Sequence, residues 1–491
     1  MITIGIDIGT SAVKLLAMDH SGKVLQTITR DYPLYMYPDG RSEQDPKDWW
    51  EETARGLKEI TSHLSEPVAA VSFSGQMHGL VVLDENDNVL RRAILWNDQR
   101  TSTQCDYLNQ NREMLLDNTA NIALTGFTAP KILWMKDNEP ELYAKIAKVM
   151  LPKDFIAYKL SSVFATDYSD ASGMLLLDVS RKDWSDLMLE KVGLTRSQVP
   201  TLYSSYESVG TVTPAAASKT GLTTSTRVVI GGGDQAVGAI GTGTVRPGTC
   251  SVSLGTSGVL FVATDTFAVD KKPSAIHSFC HATNKYHLMG VTLAAAGSAK
   301  WWYEDILATT DYESEQKEMM ENLGKNNVYF LPYLSGERTP HNNPLARGAF
   351  VGMNMTTSRS DMTQAVMEGV AYSLRDILTR VAELGHTVTK ARIIGGGAKS
   401  PVWCQIVADI LNLKVEKINA SEGPAFGAAI LALVGAGAYP TVEEACEQLI
   451  KTTEEFVPSS AATAYNKMYP IYTGLYTALV DTYKAANEVS Q

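Results

Sequence analysis

The sequence predicts an α/β protein built from two copies of one domain, and three observations carry that expectation. A Gly-Thr-Ser turn between apolar strands occurs twice, as Gly9-Thr10-Ser11 in IGIDIGTSAVKLLAM and Gly255-Thr256-Ser257 in CSVSLGTSGVLFVAT. An apolar strand running into three glycines and then a helix also occurs twice, in RVVIGGGDQAVGAIG and ARIIGGGAKSPVWCQIVADIL. The 491 residues exceed the roughly 250–300 that a single core serves. Glycines and a proline in GTGTVRPG, Gly241 to Gly248, supply a hinge, so the domains are expected at 1–244 and 245–491.

Taken in chain order, the first turn joins two strands, and a third resumes after Asp19-His20-Ser21-Gly22 as KVLQTIT. The clearest helix is expected to start at Ser360 as N-cap, with Met362, Val366, Val370, Leu374, Leu378 and Val381 on one face and Gly385 at its end. A shorter one takes Ser400 as N-cap and Pro401 at its first position. Gly423 to Gly437 reads either as a nucleotide-side element or as a tightly packed small-residue helix. Beyond Thr452, Tyr465, Met468, Tyr469, Tyr472, Leu475 and Leu479 at helical spacing predict a terminal helix.

Composition removes several classes. With 43 basic against 54 acidic residues the net charge is −11, which argues against a nucleic-acid binder. The N-terminus has no basic region ahead of its apolar run, so no secretory signal is expected and the mature protein is expected to start here. The longest apolar stretch, Phe426 to Tyr439, is too short for a membrane span. Five scattered cysteines without a CxxC pair suggest no disulfide framework and fit a reducing cytoplasm. His277, Cys280, His281 and His287 have metal-like spacing, but alternation along a strand would send them to different faces, so no zinc site is expected. There is no GxxxxGK[ST] and no GxGxxG directly after a strand, which leaves P-loop, dinucleotide-fold and protein-kinase readings without support.

The remaining motifs suggest chemistry. A Gly-Thr-Ser turn offers backbone N–H groups and hydroxyls to phosphates, and a carboxylate two residues upstream, Asp7, can hold Mg²⁺ through water. Either turn alone also reads as a hairpin chosen for geometry, with Asp7 a strand-end cap. After the triple glycines, one unit has Asp234 where the other has Ala398, which suggests a base on one side of a cleft and a nucleobase on the other. Asp234 as a helix cap is the alternative. Gln76, Met77 and His78 follow a strand, where ligands of α/β sheets bind. Trp96 in LWNDQRT, with Asn97, Asp98, Gln99 and Arg100, suits a polyhydroxylated ligand or, equally, a buried Trp beside a solvated turn.

Taken together and in order, GIDIGTS, GQMHG, LWNDQRT, DYSDASG, GGGDQ, SLGTSG, GERTPH and GGGAKSP resemble the FGGY family of carbohydrate kinases, from Asp7 to about Gly437. The resemblance implies two actin-like (ribonuclease H-like) domains, a sugar in the first and ATP in the cleft facing the second. It implies phosphorylation of the terminal hydroxyl of D-xylulose, with ribulose or xylitol as alternative substrates and a non-catalytic actin-like ATP-binding protein as a different class. Carried over residue by residue, it makes Asp234 the general base and puts Gln76, Met77, His78, Trp96 and Gln235 near the sugar. Asp7 goes to Mg²⁺, while Thr10, Ser11, Lys14, Gly255, Thr256, Ser257 and Gly297 surround the phosphates and Gly396, Gly397 and Ala398 face adenosine. A homodimer, with sugar and ATP as the only other partners, is the family-based expectation. The chain departs from the family pattern at Gln235, where many members carry Asn, and at HNNP from His341, where many read HNDP.

Overall fold

The protein is described by a computed structural model covering residues 1–272, 275–419 and 423–489. Its first sheet is built on β1 (Ile2–Ile8), whose Ile2, Ile4, Ile6 and Ile8 are buried beside Trp49 and Phe73 while Thr3, Gly5 and Asp7 face the other way. Antiparallel β2 (Ala12–Asp19) and β3 (Val24–Asp31) extend it on one side. After helix α1 (Pro46–Ser62), β4 (Val68–Gly75) pairs parallel to β1 on the other. Helix α2 (Pro152–Ser161) and edge strand β5 (Ser208–Thr211) precede β6 (Arg227–Val229), which runs parallel to β4 and leads into α3 (Asp234–Gly241).

The second sheet repeats this plan. Here β7 (Thr249–Leu254) is central, with antiparallel β8 (Gly258–Thr264), then an edge hairpin of β9 (His277–Cys280) and β10 (Tyr286–Thr292). Helix α4 (Arg359–Glu383) leads to β11 (Lys390–Ile394), parallel to β7. Helix α5 (Pro401–Leu411) leads to β12 (Lys414–Ile418), parallel to β11, and then to α6 (Gly423–Gly435). Strand β13 (Thr452–Phe456) closes the edge, and helix α7 (Ala461–Val489) ends the described chain. The strand orders β5-β6-β4-β1-β2-β3 and β9-β10-β8-β7-β11-β12-β13 share one core, three antiparallel strands followed by two parallel ones.

That topology bears out duplication and corrects one step of it. The first triple glycine follows β6, the second parallel strand, whereas the other follows β11, the first parallel strand. They are not equivalent copies. What they share is a local steric need: a Cβ on Gly231 (φ +71°) would lie 1.9 Å from the Phe73 carbonyl oxygen, and one on Gly395 (φ +92°) 2.6 Å from that of Leu254. Each crosses a neighbouring strand's backbone where only hydrogen fits. The topological partner of α3 is α6, and the two helices cross through glycines: a Cβ on Gly427 would meet the Val237 carbonyl oxygen at 2.0 Å. One on Gly5 of β1 would meet the Ala425 carbonyl oxygen at the same distance. The small-residue segment is therefore a packing element that seats itself on the first sheet.

The cap of helix α4 lies two residues before the expected one: Ser358, not Ser360, accepts from the Asp361 amide while the Asp361 carboxylate accepts from Ser358. Ser400 does cap α5, accepting from the Trp403 amide at 3.1 Å. Helix α7 packs on the second half, where the Tyr465 hydroxyl donates to Glu368 and that of Tyr469 to Asp376, each at 2.6 Å. No helix among the described residues is long and apolar enough to cross a membrane.

Candidate active site

Asp7 lies near the C-terminal end of β1, opposite Lys14 on β2 and Ser74 on β4. Burial raises its carboxyl, against the lowering influence of Ser74 and the Lys14 ammonium. Asp234 is the first residue of α3, its carboxylate folded back onto the Gln235 amide at 2.8 Å. Burial first, and the Asp7 charge second, push its carboxyl up to about 7. The two acids are thus close enough to repel one another. Among the described residues no third acid, His or Cys joins them in a metal-binding group. One or two carboxylates completed by phosphate oxygens and water is how Mg²⁺ is ordinarily held on such proteins, so these residues fit that ion with Asp7 as its holder.

The first Gly-Thr-Ser turn is fixed by side chains. Gln44 donates to the Thr10 carbonyl at 2.7 Å, the Tyr32 hydroxyl to the Gly9 carbonyl at 2.5 Å, and the Trp96 indole to the Thr10 hydroxyl at 3.0 Å. Gln76 bridges Gly9 and Gln44. Ser11 is exposed. Gln44 and Tyr32 carried no sequence signal: both come from segments without a motif and reach the turn only through the sheet. Trp96 is 45% exposed, so its ring is not the buried Trp of the alternative reading. In the same motif Asp98 and Arg100 pair with each other at 2.7 Å and are structural, whereas Asn97 and Gln99 line a cavity.

That cavity, of about 660 Å³, is walled by His78, Trp96 and Phe127 from the first half and by His277, Glu337 and Arg338 from the second. His78 sits at φ +69° with Nδ1 2.7 Å from the Gly173 carbonyl. A carbonyl only accepts, so Nδ1 carries the hydrogen and Nε2 keeps a lone pair. Burial and the nearby Lys131 ammonium push this imidazole down to about 3, and it stays neutral. Met77 is buried and packs where a Cβ on Gly233 would come within 2.8 Å of it. Gln235 stands beside Asp234 at the start of α3, partly exposed.

Behind Asp234 lies a buried group that the sequence did not reveal. The Lys153 ammonium contacts Asp154 at 2.6 Å, Asp167 at 3.1 Å and Asp170 at 3.8 Å, with none of the four more than 1% exposed. Ser169, hydrogen-bonded to Asp167 at 2.5 Å, accepts from the Gly233 amide and so ties this group to the start of α3. Asp167, Ser169 and Asp170 belong to the DYSDASG motif, whereas Lys153 and Asp154 lie in KDF, and no spacing announces that the two segments form one cluster.

In the second half, Gly255, Thr256, Gly297, Gly396 and Gly397 border a cavity of about 910 Å³ whose lining includes stacked Tyr303 and Tyr312. Ser257 and Ala398 are not on that wall. Ala398 is buried, with its carbonyl accepting from Cys404. His277 meets Asn121 and His281 the Thr244 carbonyl, while His281 and His287 both pack on the Phe261 ring. All five cysteines are free and buried.

The twofold repeat of this topology and the paired carboxylates are those of a phosphotransferase of actin-like architecture. Residues 2–241 match the N-terminal domain of the FGGY family of carbohydrate kinases and residues 250–436 its C-terminal domain, and the chain belongs to that family. It is 40% identical over 485 residues, 97% of each chain, to the xylulose kinase of Bacillus subtilis (strain 168). Its structure is similar to that of a xyloylose kinase from Brucella ovis (TM-score 0.93, 37% identity, covering 98% of this chain and 100% of that one). A gluconate kinase from Lactobacillus acidophilus is also similar (TM-score 0.92, 25% identity, 99% of each chain).

Proposed function

We propose that the protein transfers the terminal phosphoryl group of Mg²⁺-ATP to the terminal hydroxyl of D-xylulose, giving D-xylulose 5-phosphate and ADP. One observation carries the reading: a carboxylate raised to about 7, Asp234, is set at the start of a helix beside a second acid, Asp7, in a chain that belongs to the FGGY family of carbohydrate kinases. The relatives named xylulose kinase support the choice of sugar.

A primary alcohol is a weak nucleophile, so a base must orient it and take its proton as the in-line transfer proceeds. Asp234 accepts that proton while the hydroxyl oxygen bonds to the γ-phosphorus and the bond to the ADP oxygen breaks. Its raised affinity for a proton suits it to the task near neutral pH. When bound, Mg²⁺ neutralises phosphate charge, and Asp7 holds it. Thr10, Ser11, Lys14, Gly255, Thr256 and Gly297 present N–H groups, hydroxyls and a cation to the phosphates, and Gly396 and Gly397 leave room for adenosine, whereas Ser257 and Ala398 stand off that cavity's wall. Gln76, Met77, His78, Trp96 and Gln235 hold the sugar. The units 1–244 and 245–491 form the sugar and nucleotide sides of one cytoplasmic enzyme, a homodimer whose mass sedimentation would check.

The test is ADP release from Mg²⁺-ATP with D-xylulose, D-ribulose, xylitol, glycerol, gluconate or no sugar. Selective turnover with D-xylulose is expected. Preference for another of these would move the substrate assignment, and no sugar-dependent turnover would remove the kinase reading.

A further inference from the structure

The sugar-side cavity is closed by a loop from the second half, and one residue of that loop has no structural employment. The loop is rigidly seated. Glu337 accepts from the Thr292 hydroxyl at 2.6 Å and from the Leu293 and Arg338 amides at 3.1 and 2.7 Å, so both of its oxygens are engaged. Thr339 is held on the other side of Arg338, its amide donating to the Val291 carbonyl at 3.0 Å and its hydroxyl to that of Ala275 at 3.1 Å. Further along, His341 stacks on Tyr476 of α7 at 3.5 Å and Asn343 donates to the Tyr476 hydroxyl at 2.9 Å. The terminal helix thereby buttresses the loop.

Between these anchors the Arg338 guanidinium lines the cavity with His78 and Trp96. It is close enough to His78 and His277 for its charge to act on both. Yet its side chain makes no hydrogen bond and no ion pair among the described residues, although burial already disfavours its charge. The side chain is only partly buried and faces the cavity, so its five donors are left to water or to a ligand oxygen there. Evolution of a loop pinned on both sides of such a group makes sense where a ligand oxygen completes it.

We propose that Arg338 is a specificity-determining residue, delivered by the second half, that donates to an oxygen at the end of the sugar remote from the transferred hydroxyl. This rests on the sugar-kinase reading above. The carbonyl oxygen of a ketose, which accepts but cannot donate, is the group it matches best, and the His78 Nε2 lone pair on the same wall takes a neighbouring hydroxyl proton. Because the donor belongs to one half and the imidazole to the other, the sugar bridges the two.

The test compares wild type with Arg338→Met and Arg338→Lys. Hydrogen bonds to a charged partner are worth ~1.5–3 kcal/mol, so Arg338→Met should raise KM for D-xylulose by roughly 10–100-fold. KM for ATP should stay within about twofold and the preference for D-xylulose over xylitol should shrink. Lys should be intermediate, and added guanidinium ion at millimolar concentration should partly restore the Met variant. A sugar KM unchanged in Arg338→Met, or sugar and ATP KM raised together without guanidinium rescue, would overturn the assignment. Quenching of tryptophan fluorescence by D-xylulose without nucleotide separates the two readings. Binding by wild type that Arg338→Met loses, with no turnover in either, sinks the kinase reading and keeps Arg338. No sugar binding by wild type sinks both.

Discussion

The two Gly-Thr-Ser turns have the same sequence and the same place between the first and second strands of their sheets, but they are held by different means. Gly9 and Thr10 are bonded by side chains of Tyr32, Gln44, Gln76 and Trp96, all from the first half. Gly255 and Thr256 are bonded by main chain: their carbonyls accept from the amides of Ala295, Ala296 and Gly297 at 2.8–3.1 Å. The difference teaches how a duplicated backbone specialises. The first turn is wired through Trp96 to the sugar-side cavity, so its position depends on side chains that evolution can tune. The second rests on peptide groups and leaves the exposed Thr256 side chain beside the nucleotide-side cavity.

If the halves are linked as their glycine contacts show, the largest effect on folding should come from Gly427→Ala, whose Cβ would lie 2.0 Å from a backbone oxygen of α3. A loss of about 3 kcal/mol or more in urea unfolding is expected. Gly396→Ala is the contrasting case, because a Cβ there meets nothing within 4 Å. Its stability should stay within about 0.5 kcal/mol of wild type while KM for ATP rises and KM for sugar does not.

A second way to sharpen the comparison is pH. Burial and the Asp7 charge both disfavour the Asp234 anion, so the proposed base is lost as pH falls through about 7. Turnover should decline about tenfold per unit below that point and level off above it. A profile flat from pH 8 to 5 would contradict the assignment. The smallest effect belongs to Trp96→Phe, which removes one hydrogen bond from the first turn, worth ~1 kcal/mol or about fivefold in kcat/KM. The corresponding change on the second turn has no counterpart, since no side chain among the described residues holds that turn's carbonyls.

Much of this was legible in the sequence because turns, caps and strand-end polar residues are local. Both turns, the caps at Ser400 and the helical spacing after Thr452 needed only neighbours along the chain. The equivalence of the triple glycines failed because a glycine run records a steric need, a backbone crossing, and not the strand it follows. Ser358 prevailed over Ser360 because Asp361 lies three residues after it and closes a capping box. Gln44, Tyr32 and Lys153 stayed hidden because their roles arise from contacts between segments far apart in sequence; Arg338 lies inside the GERTPH motif, but nothing along the chain shows that this motif reaches the cavity beside His78.

The most direct test of the whole account is to measure sugar-dependent ADP release and D-xylulose binding side by side in wild type and Asp234→Asn. The account predicts a loss of at least about a thousandfold in kcat, equivalent to ~4 kcal/mol of transition-state stabilisation, with sugar binding and unfolding midpoint little changed. Turnover by Asp234→Asn within about tenfold of wild type would contradict it.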